Sequence, residues 1–265
     1  MSWQTFRAAL VFYTCLPLSP RGDRGNGKAL DFRGIAVYAP LVGVVIGVIL
    51  GMCDWGLAWL WRDRSPLISP LIPLLQSGLV ILLGLLLTGG LHLDGAMDTA
   101  DGLAVTDPDR RLEVMTDSTT GAYGVMAAIA ILFLKIAALA TISDRRFWIL
   151  IAASAWGRWG QLRAIAAYPY LKPAGKGKFH RDHVRSWQIW LVFLLMLAVS
   201  CAIGIAGGQI ALAAKVSGIG AVSSWSVGAW LYHKLGGHTG DTYGAIVEWS
   251  EALFFLTFAA LGTSN

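Results

Sequence analysis

The chain predicts an all-α, polytopic integral membrane bundle of about seven transmembrane helices, with a short interfacial or re-entrant helix at its N-terminus. Three observations carry that reading. Of 265 residues, 55% are hydrophobic and only 14% charged, and mean hydropathy is +0.59; a soluble domain averages about 25% charged residues. Apolar runs recur along the chain, each near the ~20 residues that cross a hydrocarbon core of ~30 Å. Between them, Lys and Arg fall unevenly on two alternating sets of connections. The same composition excludes intrinsic disorder, which needs low hydrophobicity and high charge. We read residues 1–265 as a single membrane domain.

Taken in order, residues 6–18 are apolar behind Arg7 and run into Pro17 with no small-residue cleavage site. That pattern suits a short interfacial or re-entrant helix better than a removable leader. The spans follow at 35–61, 70–90, 122–142, 147–167, 187–207, 209–232 and 244–262. The sixth is the weakest, because it carries Lys215 among many Ser and Gly residues. Cys15, Cys53 and Cys201 are three and unclustered, so each is expected to pack as a small apolar side chain.

Seven spans put 19–33, 91–121, 168–186 and 233–243 on one side. These hold twelve basic residues: Arg21, Arg24, Lys28, Arg33, Arg110, Arg111, Lys172, Lys176, Lys178, Arg181, Arg185 and Lys234. The other side, 62–69 and 143–146, holds Arg62, Arg64, Arg145 and Arg146. The bias assigns the first set to the cytoplasm, which makes a multi-pass cell (inner) membrane protein with its functional loops cytoplasmic. Basic loops facing an anionic leaflet also account for the net charge of +5 and the pI near 9.2. The lipid bilayer is thus the expected partner, and nucleic acid is not.

Acidic residues single out one segment. Seven of the sixteen lie between 91 and 121: Asp94, Asp98, Asp101, Asp107, Asp109, Glu113 and Asp117. Asp94, Asp98 and Asp101 are spaced i, i+4, i+7, within about 60° of arc on a helix. Like charges on one face repel, and a divalent cation removes that repulsion. Oxygen ligands suit Mg²⁺, with Mn²⁺ as a substitute; the simpler alternative is a solvated acidic face. Asp117-Ser118 before Gly121 reads as a loop feeding a helix whose free N–H groups suit a phosphate, or as an ordinary cap.

Near the C-terminus, Gly236-Gly237-His238-Thr239-Gly240-Asp241 precedes the last span, with Glu248 and Glu251 inside it. Glycines there permit close backbone approach to an anion. Intramembrane carboxylates are costly and usually face the bundle interior. Lys135 and Arg158 are mid-span cations that call for a carboxylate or a ligand phosphate. The basic stretch 168–186 suits an anionic substrate and equally the charge bias.

These segments together resemble the cobalamin synthase, or adenosylcobinamide-GDP ribazoletransferase, family. The match rests on Gly89-Gly90-Leu91-His92-Leu93-Asp94-Gly95 through Asp98-Thr99 and Asp101-Gly102. It continues in Arg111-Leu112-Glu113-Val114-Met115 with Asp117-Ser118, Gly121 and Gly124, and in Gly236-Gly237 with Thr239-Gly240-Asp241-Thr242, Gly244-Ala245, Glu248 and Glu251. Order and spacing agree from about residue 5 to 260. Two places depart: Thr119 stands where a basic residue usually follows Asp117-Ser118, and Lys176 and Lys178 interrupt the Gly175-Gly177-Phe179 pattern.

The resemblance implies a Mg²⁺-dependent membrane transferase. It would join adenosylcobinamide-GDP to α-ribazole or its 5′-phosphate, with release of GMP, late in adenosylcobalamin (vitamin B12) biosynthesis. Asp94, Asp98, Asp101 and Asp241 are the expected metal ligands, with Asp117 as a further candidate. His92 is expected to act as a base or to orient the acceptor, although an ideal helix turns it away from the aspartates. Lys135, Arg158, Asp117, Ser118, Thr239, Asp241 and Glu248 are the expected substrate contacts. A homo-oligomer is compatible with all of this.

The nearest alternative is a CDP-alcohol phosphotransferase, whose Asp-Gly-x-x-Ala-Arg pattern is broken here by Met97-Asp98. A transporter with an acidic cation site would concentrate its carboxylates at the bilayer midplane rather than in one segment.

Overall fold

The computed structural model describes residues 2–18, 30–62, 71–173 and 175–262, with Lys176 described by its backbone alone. Arg21, Arg24, Lys28 and Arg64 of the charge bias lie outside the described residues. The described chain is helical: α1 (Trp3–Tyr13), α2 (Ala39–Trp61), α3 (Ile72–Thr88), α4 (Leu91–Ala104), α5 (Arg111–Val114), α6 (Ala122–Thr141), α7 (Arg146–Ala167), α8 (Lys176–Asp182), α9 (Ser186–Ala206), α10 (Ile210–Leu235) and α11 (Gly240–Leu261). Among the described residues, extended pairing is limited to one bridge between Tyr170 and His238.

Five helices are long and apolar enough to cross a membrane: α2 with the turn before it (Ile35–Trp61), α6, α9, α10 and α11. The other two expected spans form as helices but differ for physical reasons. Helix α3 stops at 17 residues and turns by 91° into α4. Gly89 and Gly90 make that turn at φ 60° and 73°, a left-handed conformation that costs side-chain-bearing residues about 1–2 kcal/mol each. Counting the bent pair as one span gives six.

Helix α7 carries Arg146, Arg158 and Arg163, which keeps it below the apolarity of a lipid-facing span. It is the pillar of the bundle, packed by α2, α9, α10 and α11. Sixteen of its 22 residues are buried, so it has little lipid to satisfy. Helix α2 approaches it backbone to backbone. A Cβ at Gly43 would stand 2.3 Å from the Ser154 carbonyl oxygen, and one at Gly47 would stand 2.4 Å from Ile151 Cα. Small residues at i, i+4 are what close helix packing in a membrane requires.

The far end of the bundle is pinned by ions. Arg146 donates from Nε and Nη2 to the Asp54 carboxylate at 2.7–3.0 Å, and Gln76 Nε2 donates to the same carboxylate at 2.8 Å. Helices α2, α3 and α7 are thereby locked together beside the 143–146 turn. Segments 89–95, 168–177 and 236–241 meet at the opposite end. There Arg111 also donates to the Lys234 carbonyl at 3.1 Å, tying in 105–121. Three of the four connections expected on one side thus come together, while 19–29 lie outside the described residues.

Candidate active site

The first turn of α4 crosses the first turn of α11 with almost no space between backbones. A Cβ at Gly95 would lie 2.6 Å from the Asp241 carbonyl oxygen, and one at Gly244 would lie 2.7 Å from that of His92. This crossing sets Asp94 and Asp241 on one cavity of about 320 Å³, which His92, Lys172, Gly175 and Gly177 also line. That volume lies at the lower end of the range typical of small-molecule sites. His92 lines the same cavity as Asp94. Its ring is buried, and neither nitrogen has a partner among the described residues.

Lys172 is delivered by a pinned connection. Leu171 N–H donates to the His238 carbonyl and His238 N–H to the Pro169 carbonyl, both at 2.9 Å. Lys172 Nζ then reaches Asp241 Oδ2 at 2.9 Å. Burial, with Arg163 nearby, holds the His238 imidazole down at about 4, so it packs there as a neutral ring. Asp98 stands one turn further along α4. Burial first, then the charges of Asp94 and Asp241, push its carboxyl up to about 6. Tyr170 is likewise raised, by burial and then by Asp241.

The expected cluster divides at Asp101. Its Oδ2 accepts from Gly121 N–H and its Oδ1 from Gly124 N–H, each at 2.8 Å. Asp101 therefore caps α6, where four N–H groups would otherwise lack partners, and both its oxygens are engaged. Asp101 thereby occupies two N–H groups that were candidates for a phosphate. Asp117 is exposed and folds back to accept from Thr119 N–H at 2.9 Å, which holds its carboxyl below the usual range. Neither Asp117 nor Ser118 lines the cavity.

Other expected substrate contacts are spent on the fold. Lys135 Nζ donates to Glu248 at 2.6 Å and to Glu251 at 2.7 Å, while Arg158 Nη1 donates to Glu251 at 3.0 Å. These two cations and two carboxylates form a neutral buried quartet around a cavity of about 30 Å³, room for a water. Thr239 is fully buried and caps α11: its Oγ1 accepts from Thr242 N–H, and Thr242 Oγ1 accepts from Thr239 N–H.

A family model described as cobalamin-5-phosphate synthase matches residues 5–259. The chain belongs to this family. It is 51% identical over 256 residues to the adenosylcobinamide-GDP ribazoletransferase of Trichormus variabilis, covering 96% of each chain. The protein of that name from Synechococcus elongatus is 47% identical, over 97% of this chain and 96% of its own. One from Prochlorococcus marinus (strain MIT 9313) is 38% identical, over 96% and 94%. No solved structure matches the chain.

Set within the cobalamin-5-phosphate synthase family, the chain is a transferase and a multi-pass membrane protein. Its cavity also holds residues that motif reading missed: Tyr13, Gln161, Tyr170 and Tyr243. One of them had a signal, since Gln161 is a polar side chain inside an apolar run, three residues after Arg158. Tyr13 lies in the apolar N-terminal stretch, and Tyr170 and Tyr243 lie in connections, where a lone tyrosine carries no signal of a site. For a cation, Asp94 and Asp241 with Asp98 beside them fit a hard ion by donor type and charge. Among the described residues no group of three or more His, Cys, Asp or Glu converges on one point. A Mg²⁺ ion needs only one or two carboxylates when waters and substrate phosphates complete its shell.

Proposed function

We propose that this chain is the adenosylcobinamide-GDP ribazoletransferase of its cell, a Mg²⁺-dependent enzyme of the inner membrane with its cavity open to the cytoplasm. The reaction joins adenosylcobinamide-GDP to α-ribazole or its 5′-phosphate. The acceptor's ribose hydroxyl attacks the phosphorus that bears the cobinamide. One phosphorus–oxygen bond forms, the diphosphate bond breaks, and GMP leaves.

The observation that carries the reading is the α4–α11 crossing, which brings Asp94, Asp241, Lys172 and His92 onto one cavity. Phosphoryl transfer is mostly positioning and charge stabilisation. Lys172 supplies a cation for diphosphate oxygens, held in place by Asp241 until substrate arrives. The unpartnered ring of His92 accepts a hydrogen bond from the attacking hydroxyl and orients it, and the proton leaves to the water of the open cavity. Asp94 and Asp241 would hold Mg²⁺, with Asp98 one turn further along α4, and the ion when bound would neutralise charge on the diphosphate. Asp94, Phe12 and Leu91 also border a wider cleft of about 750 Å³, which offers room for the macrocyclic half of the donor.

The test is the full-length chain purified in detergent, with GMP measured after mixing adenosylcobinamide-GDP, α-ribazole 5′-phosphate and Mg²⁺. GMP should appear only with both substrates and the ion. Folded protein that releases none overturns the proposal.

A further inference from the structure

Three residues that line the same 320 Å³ cavity each carry a buried polar atom with no partner, Tyr13 Oη on α1, Gln161 Oε1 on α7 and Tyr243 Oη on α11, beside the unpaired ring of His92 on α4. The three are 1%, 6% and 2% exposed, and none of these atoms has a hydrogen-bond partner among the described residues. Buried polar groups in native proteins are nearly always paired, and each exception needs an explanation. Exceptions gathered at one cavity share one explanation, a ligand that supplies the missing partners.

The walls describe its shape. Tyr170 and Tyr243 lie 6.2 Å apart at 33°, and Tyr13 lies 6.2 Å from the His92 ring at 14°. These pairs make the lining rich in aromatic rings, a surface on which a planar nitrogen heterocycle packs well. Given the proposed reaction, two such rings exist, the guanine of the donor and the base of the acceptor.

We propose that the cavity holds the guanine, as a specificity pocket for the nucleotide end of the donor. This rests on the function proposed above. Gln161 Oε1 accepts from the base's N–H groups, and the Tyr13 and Tyr243 hydroxyls pair with its oxygen and ring nitrogens. Guanine carries acceptors at O6 and N7 and a donor amine at N2, enough for all three protein atoms. The benzimidazole type of base in α-ribazole has one free ring nitrogen and no N–H once joined to ribose. It would leave the Gln161 oxygen buried and unpaired, the situation that sites built for hydrogen bonding reject most strongly.

The test measures binding to the detergent-purified full chain by equilibrium dialysis, so no turnover is required. The probes are GMP, IMP (which lacks the 2-amino group) and α-ribazole 5′-phosphate. Wild type should bind GMP about tenfold or more tightly than IMP. Gln161→Met should erase that preference, and Tyr13→Phe and Tyr243→Phe should each weaken GMP by about tenfold. Binding of α-ribazole 5′-phosphate should stay unchanged in all three variants. Equal affinity of wild type for GMP and IMP overturns the proposal without any variant being needed. So does absence of GMP binding at millimolar concentration, or variants that lose α-ribazole 5′-phosphate instead of GMP. A chain that releases GMP on turnover but fails these measurements keeps its reaction and loses this pocket.

Discussion

Asp94 and Asp101 sit seven residues apart on α4 and look alike in sequence, yet their surroundings give them opposite tasks. Asp94 is exposed on the cavity, whereas Asp101 is buried against the start of α6. Asp94→Asn should leave the thermal unfolding temperature in detergent unchanged and lower GMP release at least about a hundredfold, the scale of a lost transition-state contact. Asp101→Ala should cost about 1–2 kcal/mol, as lost helix caps do, and show a clear fall in unfolding temperature. If the two variants behave alike in both assays, the division of the cluster is wrong. The buried quartet allows a second test. Lys135→Met leaves buried carboxylates short of a cation, an error of about 3–5 kcal/mol when one partner of a buried pair is removed. Adding Glu248→Gln should restore most of the unfolding temperature, because Arg158 and Glu251 still pair. A double variant no more stable than the single one would refute the pairing. Spacing revealed that the three aspartates share a face but not that Gly121 and Gly124 meet only one of them. Lys135 and Arg158 read as needing anionic partners, and the partners proved to be Glu248 and Glu251.

At the scale of helices, the crossing of α4 over α11 sets the geometry of the site. Gly95→Ala and Gly244→Ala each insert a methyl within 2.7 Å of a carbonyl oxygen on the other helix, which moves only with the backbone. Both should nearly abolish GMP release and lower the unfolding temperature. Gly218→Ala in α10 is the control, since a Cβ there meets nothing within 4 Å; it should be neutral or stabilise by up to about 1 kcal/mol. Unaffected turnover in Gly95→Ala and Gly244→Ala would remove the crossing from the account. Most helices were legible because apolar length is a local property. The bend at Gly89-Gly90 was not, since an apolar run shows no direction. The central place of α7 was also hidden, because what shields three arginines from lipid is the set of neighbours, and one sequence does not name them. Gly95 and Gly244 were visible as motif residues, but the partner each one faces emerges only when both helices are placed.

The whole molecule has two ends of different character. One gathers the cavity and most of the basic connections, and the other is closed by Asp54 and Arg146. In a background with Cys15, Cys53 and Cys201 replaced, Thr106→Cys and Lys178→Cys should react with an impermeant thiol reagent from the same side of the membrane, and Ser143→Cys from the other. Thr106 and Lys178 reacting from opposite sides would overturn the topology, and with it the shared cavity. The quartet also bears on how the chain is made. Lys135 leaves the ribosome 113 residues before Glu248, and Arg158 leaves 93 residues before Glu251. Both cations thus enter the membrane with no counter-charge and wait, at a cost of about 2.5–3.5 kcal/mol each on insertion scales, until the last helix arrives. Assembly is therefore tied to completion of translation. A chain stopped after Leu235 should be cleared by membrane proteases, and the same truncation carrying Lys135→Leu and Arg158→Leu should persist longer in a pulse-chase measurement. Equal lifetimes would show that the early cations are sheltered by something other than α11.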